Sequence, residues 1–236
     1  TSLAKKYEVD GYYIRINPYY YMPAEELADK TIDLKNHKAN EGKTLLTGLI
    51  SVDALALVRF GLRAADDPKI LNTIKVIDAL LKVETPNGDC WHRYNNDGYG
   101  EDEEGNPYNG AGIGRAWPLL TGERAHYEIA AGNIDAAKKL LKAMEAFSNN
   151  DLLPEQIWDT DDIPDKELFF GQHSGSAMPL TWAHAEYIKL CASIRDKKVF
   201  DMPKQTYERY VKQKTTSAFC VVRFNNQCKK SSDTKI

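Results

Sequence analysis

Two kinds of segment alternate along this chain: stretches with apolar residues at helical spacing, and long aperiodic stretches rich in aromatic and polar side chains. Ile70, Ile74, Ile77, Leu80 and Leu81 form one helical stripe. Asp66, Asp67 and Pro68 precede it, with the Pro at a first-turn position. Upstream, Leu45, Leu46, Leu49, Ile50, Leu55, Leu57, Val58 and Leu62 are apolar nearly all round, which predicts a well-buried helix over 44–65. A third helix is expected from Arg115 to about Ala131, ended by Gly132. Asn133 then reads as the N-cap of a fourth over 134–148, carrying Ile134, Ala137, Leu140, Leu141, Met144 and Phe147. Residues 176–194 predict a fifth, and Pro203 opens a polar helix reaching about Gln213. The intervening loops, 85–114 and 149–175, are too long for simple connections. In the first, Trp91, Tyr94, Tyr99 and Tyr108 argue against disorder.

The expected fold class is therefore all-α. Helix, short link, helix and long loop repeat, as in an α/α toroid or a helical solenoid, with the long loops gathered at one end to build a site. No strict repeat marks a tetratricopeptide or ankyrin array. Short strand-like segments are expected near both ends, at 12–16 and 218–224. Three regions follow: an irregular segment 1–43, a helical part 44–213, and a C-terminal strand with a polar tail, 214–236.

Composition excludes some functions. A net charge of −3 offers no basic surplus for neutralising phosphates, so no nucleic-acid partner is expected. No apolar run reaches the roughly 20 residues of a membrane helix, so no membrane partner is expected either. Cys90, Cys191, Cys220 and Cys228 contain no C-x-x-C pair, and the five His show no zinc spacing. Neither a metal nor a cofactor is expected. Cys220 and Cys228 are close enough in sequence to bridge in an oxidising compartment, although free thiols fit better. The cysteine pattern assigns no localisation.

Chemistry concentrates in the loops. L-P-E-Q-I-W-D at 153–159 places Glu155 near Trp158, with Asp159 four residues on. A carboxylate activates water or moves a proton, and an indole face packs against the C–H face of a pyranose. Pro154 marks the start of a loop, and loops on a rigid scaffold carry much of protein function. W-H-R-Y-N-N-D-G-Y-G-E at 91–101 supplies Trp91, Arg93, Asp97, Tyr99 and Glu101. An Arg fork there either donates to sugar hydroxyls or pairs with a carboxylate to order the loop. G-R-A-W-P-L-L-T-G-E-R at 114–124 carries Trp117 at a helix start, where a ligand platform and a core cap are both plausible. S-A-M-P-L-T-W-A-H-A-E-Y at 176–187 carries Trp182 and His184, the latter better read as a packed His than a catalyst.

In this order the four motifs resemble glycoside hydrolase family 15, which includes bacterial and archaeal glucoamylases and glucodextranases. The resemblance spans residues 45–225. It implies an (α/α)6 barrel and release of glucose, with inversion, from non-reducing ends of α-glucans. It implies Glu155 as general base, Arg93 holding sugar hydroxyls near the scissile bond, and Trp117 and Trp182 lining glucose subsites. Trp158, Trp91, Tyr99 and Glu101 would be further pocket members.

One departure stands beside the match. Inversion needs two carboxylates about 6.5–9.5 Å apart, and the family's acid motif, of W-E-E/D type, does not occur here. With five or six helices where the full toroid has twelve, the chain resembles the C-terminal half of the barrel. An open half would expose an apolar face that calls for a partner, either the missing N-terminal half or a second copy. Asp97 or Glu101 as a substitute acid is a weaker reading. The rival functions are a non-catalytic carbohydrate-binding fragment and a structural helical domain whose aromatics are core.

Overall fold

The computed structural model describes residues 1–18, 22 and 24–213. Helices α1 (Ser2–Lys6), α2 (Ala56–Arg59), α3 (Pro68–Leu81), α4 (Pro118–Ala130), α5 (Ile134–Ala146), α6 (Thr181–Asp196) and α7 (Lys204–Tyr207) alternate with strands β1 (Thr31–Asp33), β2 (Lys43–Leu45), β3 (Lys82–Thr85) and β4 (Gly88–Trp91). The strands form two antiparallel hairpins, β1–β2 and β3–β4.

Helix α3 has a clear local cause. The Asp67 side chain accepts from the Lys69 amide, and Pro68 fills the first turn. Its buried stripe of Ile70, Ile74, Ile77 and Leu81 then faces the core. Helix α4 packs against both α5 and α6. Gly132, at φ +84°, ends that stretch in a conformation open to glycine. Asn133 does not cap α5 with its side chain. Its amide instead donates to Glu128 at 2.8 Å, tying the start of α5 back to α4.

The expected helix over 44–65 is corrected. Lys43–Leu45 is a strand, Leu46–Gly48 and Val52–Leu55 are 3-10 turns, and only Ala56–Arg59 is α-helical. The segment is buried as expected: Leu46, Leu49 and Ile50 are fully inaccessible. Its backbone, however, bonds sideways into the loop beyond β4. The Ile50 amide donates to Asn95 Oδ1 and the Ser51 hydroxyl to the Arg93 carbonyl. All-round apolarity specifies burial, not helicity. Residues 12–16 are likewise extended but not a strand, held by the Arg15 amide on the Leu49 carbonyl. The strand expected at 218–224, the tail and Cys220 and Cys228 lie outside the described residues; Cys90 and Cys191 are free thiols.

A buried ion cluster locks α2 to α6. Arg59 donates to both oxygens of Glu186, at 2.8 and 3.0 Å, and to both of Asp201, at 2.9 and 2.8 Å. His126 of α4 stands 2.8 Å from Glu186. Burial works to raise the Asp201 carboxyl, but the hydrogen bonds and charge of Arg59 outweigh it and hold the group down at about 2. Among the described residues, no helix is long and apolar enough to cross a membrane, and no group of three or more His, Cys, Asp or Glu could hold a metal.

Candidate active site

Four segments far apart in sequence are stitched edge to edge. The Trp117 amide donates to the Trp91 carbonyl and the Ile157 amide to the Ala116 carbonyl, each at 2.9 Å, and Ile157 also bridges to His173. The Glu155 amide donates to Ala177 at 2.8 Å. This row brings the loops after β4, before α4 and before α6 to one place. Close backbone contact within it requires glycine: a Cβ at Gly98 would sit 1.9 Å from the Asn36 carbonyl oxygen, and one at Gly114 2.4 Å from Asp97 Cβ.

Asp159 is the pin beneath the row. Its buried carboxylate accepts from Arg115 Nη1 at 3.0 Å and the Ala116 amide at 2.9 Å, with His92 Nε2 at 3.3 Å. Arg115, fully buried, also donates to the carbonyls of Glu101 and Asp102. Asp159 is therefore spent on architecture and does not share chemistry with Glu155. The sequence marks Asp159 only as a second carboxylate four residues after Glu155 and gives Arg115 no role, although both lie inside the motifs.

Glu155 faces a cleft of about 660 Å³ bounded by residues 99–101, 105–108, 155–156, 166, 168 and 175–177. The Tyr99 hydroxyl lies 3.4 Å from both its oxygens, the outer limit of a hydrogen bond. Burial, and then the charge of Glu155, hold the Tyr99 phenol above its ordinary value, so it remains a donor. Gln156 turns the other way and donates to the Tyr99 carbonyl at 2.7 Å, fixing ring and base together.

Arg93 forks onto Asp97, at 2.7 and 2.9 Å, and stands 5.0 Å from the Tyr99 ring and 4.9 Å from the Trp117 ring. Burial alone would pull the Arg93 guanidinium down; the hydrogen bonds and charge of Asp97 more than offset it. Asp97 also accepts from the Tyr99 amide, which leaves it poorly placed as an acid. Trp117 packs at 6.2 Å from Tyr99 and edge-on at 6.4 Å from Trp182, which is exposed at the start of α6. The Trp117 indole N–H is buried with no partner among the described residues.

Arg93, Tyr99, Trp117, Glu155 and Trp182 thus form one chain of contacts, with Trp117 buried in its middle and Glu101 in the cleft wall. Trp91 and Trp158 do not join it. Trp91 is buried, with its N–H on Asp78 at 3.0 Å, and Trp158 is buried beneath the Arg115 guanidinium with its N–H on the Asp161 carbonyl. Neither lines the Glu155 cleft in this structure, because both are buried and both indole N–H groups are taken, by Asp78 and by the Asp161 carbonyl. His184 is a packed His, its Nε2 accepting from the Leu153 amide.

Residues 5–192 match the family described as glycosyl hydrolases family 15. The chain belongs to this family. It is 46% identical over 197 residues to a glucoamylase of Clostridium sp. (strain G0005), covering 83% of this chain and 26% of that protein. The crystal structure of a bacterial glucoamylase complexed with acarbose superposes with a TM-score of 0.74 at 47% identity, over 85% of this chain and 27% of that one. The helices therefore correspond to part of an (α/α)6 barrel. This family member spans about a quarter of the length of the relatives it matches.

Proposed function

We propose that this chain carries the base-bearing part of a glucoamylase-like site acting on α-glucan oligosaccharides or polysaccharides. The observation that supports it most is Glu155 itself: a carboxylate on the cleft wall, with Tyr99 and Gln156 fixing its place. Ionised Glu155 takes a proton from water as that water attacks the anomeric carbon, and the configuration inverts. Arg93, fixed by Asp97, presents its remaining Nη1 to sugar hydroxyls. Trp182, exposed and backed edge-on by the buried Trp117 ring, offers an aromatic corner to a pyranose face.

The acid is assigned to a partner, the N-terminal part of the barrel or a second copy, since Asp97 is held by Arg93 and Tyr99. The second reading is a carbohydrate-binding fragment without turnover, favoured by Asp97 being tied to Arg93 and the Tyr99 amide.

The test is glucose release from maltotetraose and isomaltotriose, wild type beside Glu155→Gln, with the product anomer read by NMR. Release of β-glucose that falls at least a hundredfold in the variant supports the base. Acarbose binding with no release, either by the chain alone or with the N-terminal part of the barrel supplied in trans, selects the binding fragment, and neither binding nor release sinks both.

A further inference from the structure

Glu101 has a side chain that the arrangement above leaves idle. It is 5% exposed, lies on the wall of the Glu155 cleft, and its Oε2 has no hydrogen-bond partner among the described residues. Its neighbours do not bond it. Arg115 donates to the backbone carbonyl of Glu101, not to its carboxylate, and Arg115 Nε is itself without a partner among the described residues. Lys166 Nζ donates to the Glu104 carbonyl and to Asn106 Oδ1, and the Asn106 amide donates to Asp102. Gly175 comes so near that a Cβ there would sit 3.0 Å from Glu101 Oε1, so no side chain separates the carboxylate from that part of the wall.

A buried acceptor without a donor carries an uncompensated desolvation cost, larger when it is charged. The fold keeps that cost in the same cleft as Glu155. A sugar hydroxyl is the kind of donor that would relieve it, and a site built to bond a hydroxyl discriminates sharply against ligands lacking one there. Arg93, Trp117 and Trp182 do not line this cleft and reach it only through Tyr99. The sugar unit that meets Glu101 is therefore a different unit from the one beside Arg93 and Trp117.

We propose that Glu101 accepts a hydroxyl from a second glucan unit, held in the cleft next to Glu155, and thereby makes the site favour oligosaccharides over glucose. This rests on the reading of the Glu155 cleft as a sugar site.

The experiment is calorimetric titration of the full chain with glucose and with maltotriose, beside Glu101→Met and Glu101→Gln, together with thermal melts. Glu101→Met fills similar space without polar atoms. The expected result is a loss of about tenfold or more in maltotriose affinity, unchanged glucose affinity, and a Tm no lower than wild type. Glu101→Gln, which keeps one acceptor, should lose less. Equal maltotriose affinity in wild type and Glu101→Met overturns the proposal. So does a lowered Tm with the same loss for both sugars, which marks Glu101 as structural. If Glu101→Met does not fold, undiminished maltotriose binding by Glu101→Gln with a lowered Tm overturns it too. Should the wild type bind neither sugar, the sugar-site reading falls first and this inference with it.

Discussion

Glu123, on α4, shows how one side chain can set a pH dependence for the whole fold. Burial, and then the charge of Glu186, push its carboxyl up to about 7 from an ordinary 4.5. Below pH 4.5 both folded and unfolded chains hold the proton, and there is no penalty. Between 4.5 and 7 the unfolded chain releases it while the folded chain retains it, so stability falls as pH rises and the full cost is present above 7. The cost is on the order of 3 kcal/mol. Glu123→Gln should therefore raise Tm at pH 8 and leave it unchanged near pH 4.5; equal melts at both would refute the assignment. At this scale the sequence marks Arg93, Trp117, Glu155 and Trp182 by their motifs, and the structure links the four through Tyr99; the long loops also hold Trp91 and Trp158, which pack inside. The sequence was not informative about Asp159, whose role exists only once Arg115 and the Ala116 amide, more than forty residues upstream, are brought to it.

Helix α4 is crossed closely by its neighbours at Gly122. A Cβ there would meet Glu186 Cγ at 2.7 Å and Met144 Sδ at 2.9 Å. Alanine would add up to about 1 kcal/mol of helix propensity. The clash should win, because Glu186 is pinned by Arg59 and His126 and cannot yield as Met144 can. Overpacking costs roughly 1–3 kcal/mol, so Gly122→Ala should lower Tm in a denaturation series, and a rise would show that α4 and α6 separate freely. The helices with caps and stripes, α3 above all, were legible from sequence; segment 44–65 was not, since nothing in an apolar run states which backbone bonds it makes. The β3–β4 hairpin falls partly within the stretch 85–114 read as a loop: its turn is Pro86-Asn87, with Gly88 paired to Thr85, a register that the Asn87-Gly88 dipeptide does not state.

Taken whole, the described residues are an α-helical part of a barrel with its long loops bridged to one another and apolar side chains such as Leu71, Ile188 and Phe200 left at the surface. The tryptophans divide in the same way. Trp91, Trp117 and Trp158 are buried, whereas Trp182 is 57% exposed on the site's rim. That division makes the protein its own optical probe. One indole of four should emit at long wavelength and be reached by iodide, while the other three remain dark to a charged quencher. Acarbose seated on the aromatic corner should protect that single emitter and shift its spectrum to the blue, and Trp182→Phe should abolish both effects. A ligand that leaves the iodide-accessible fraction unchanged would be binding somewhere other than the corner of Trp117 and Trp182.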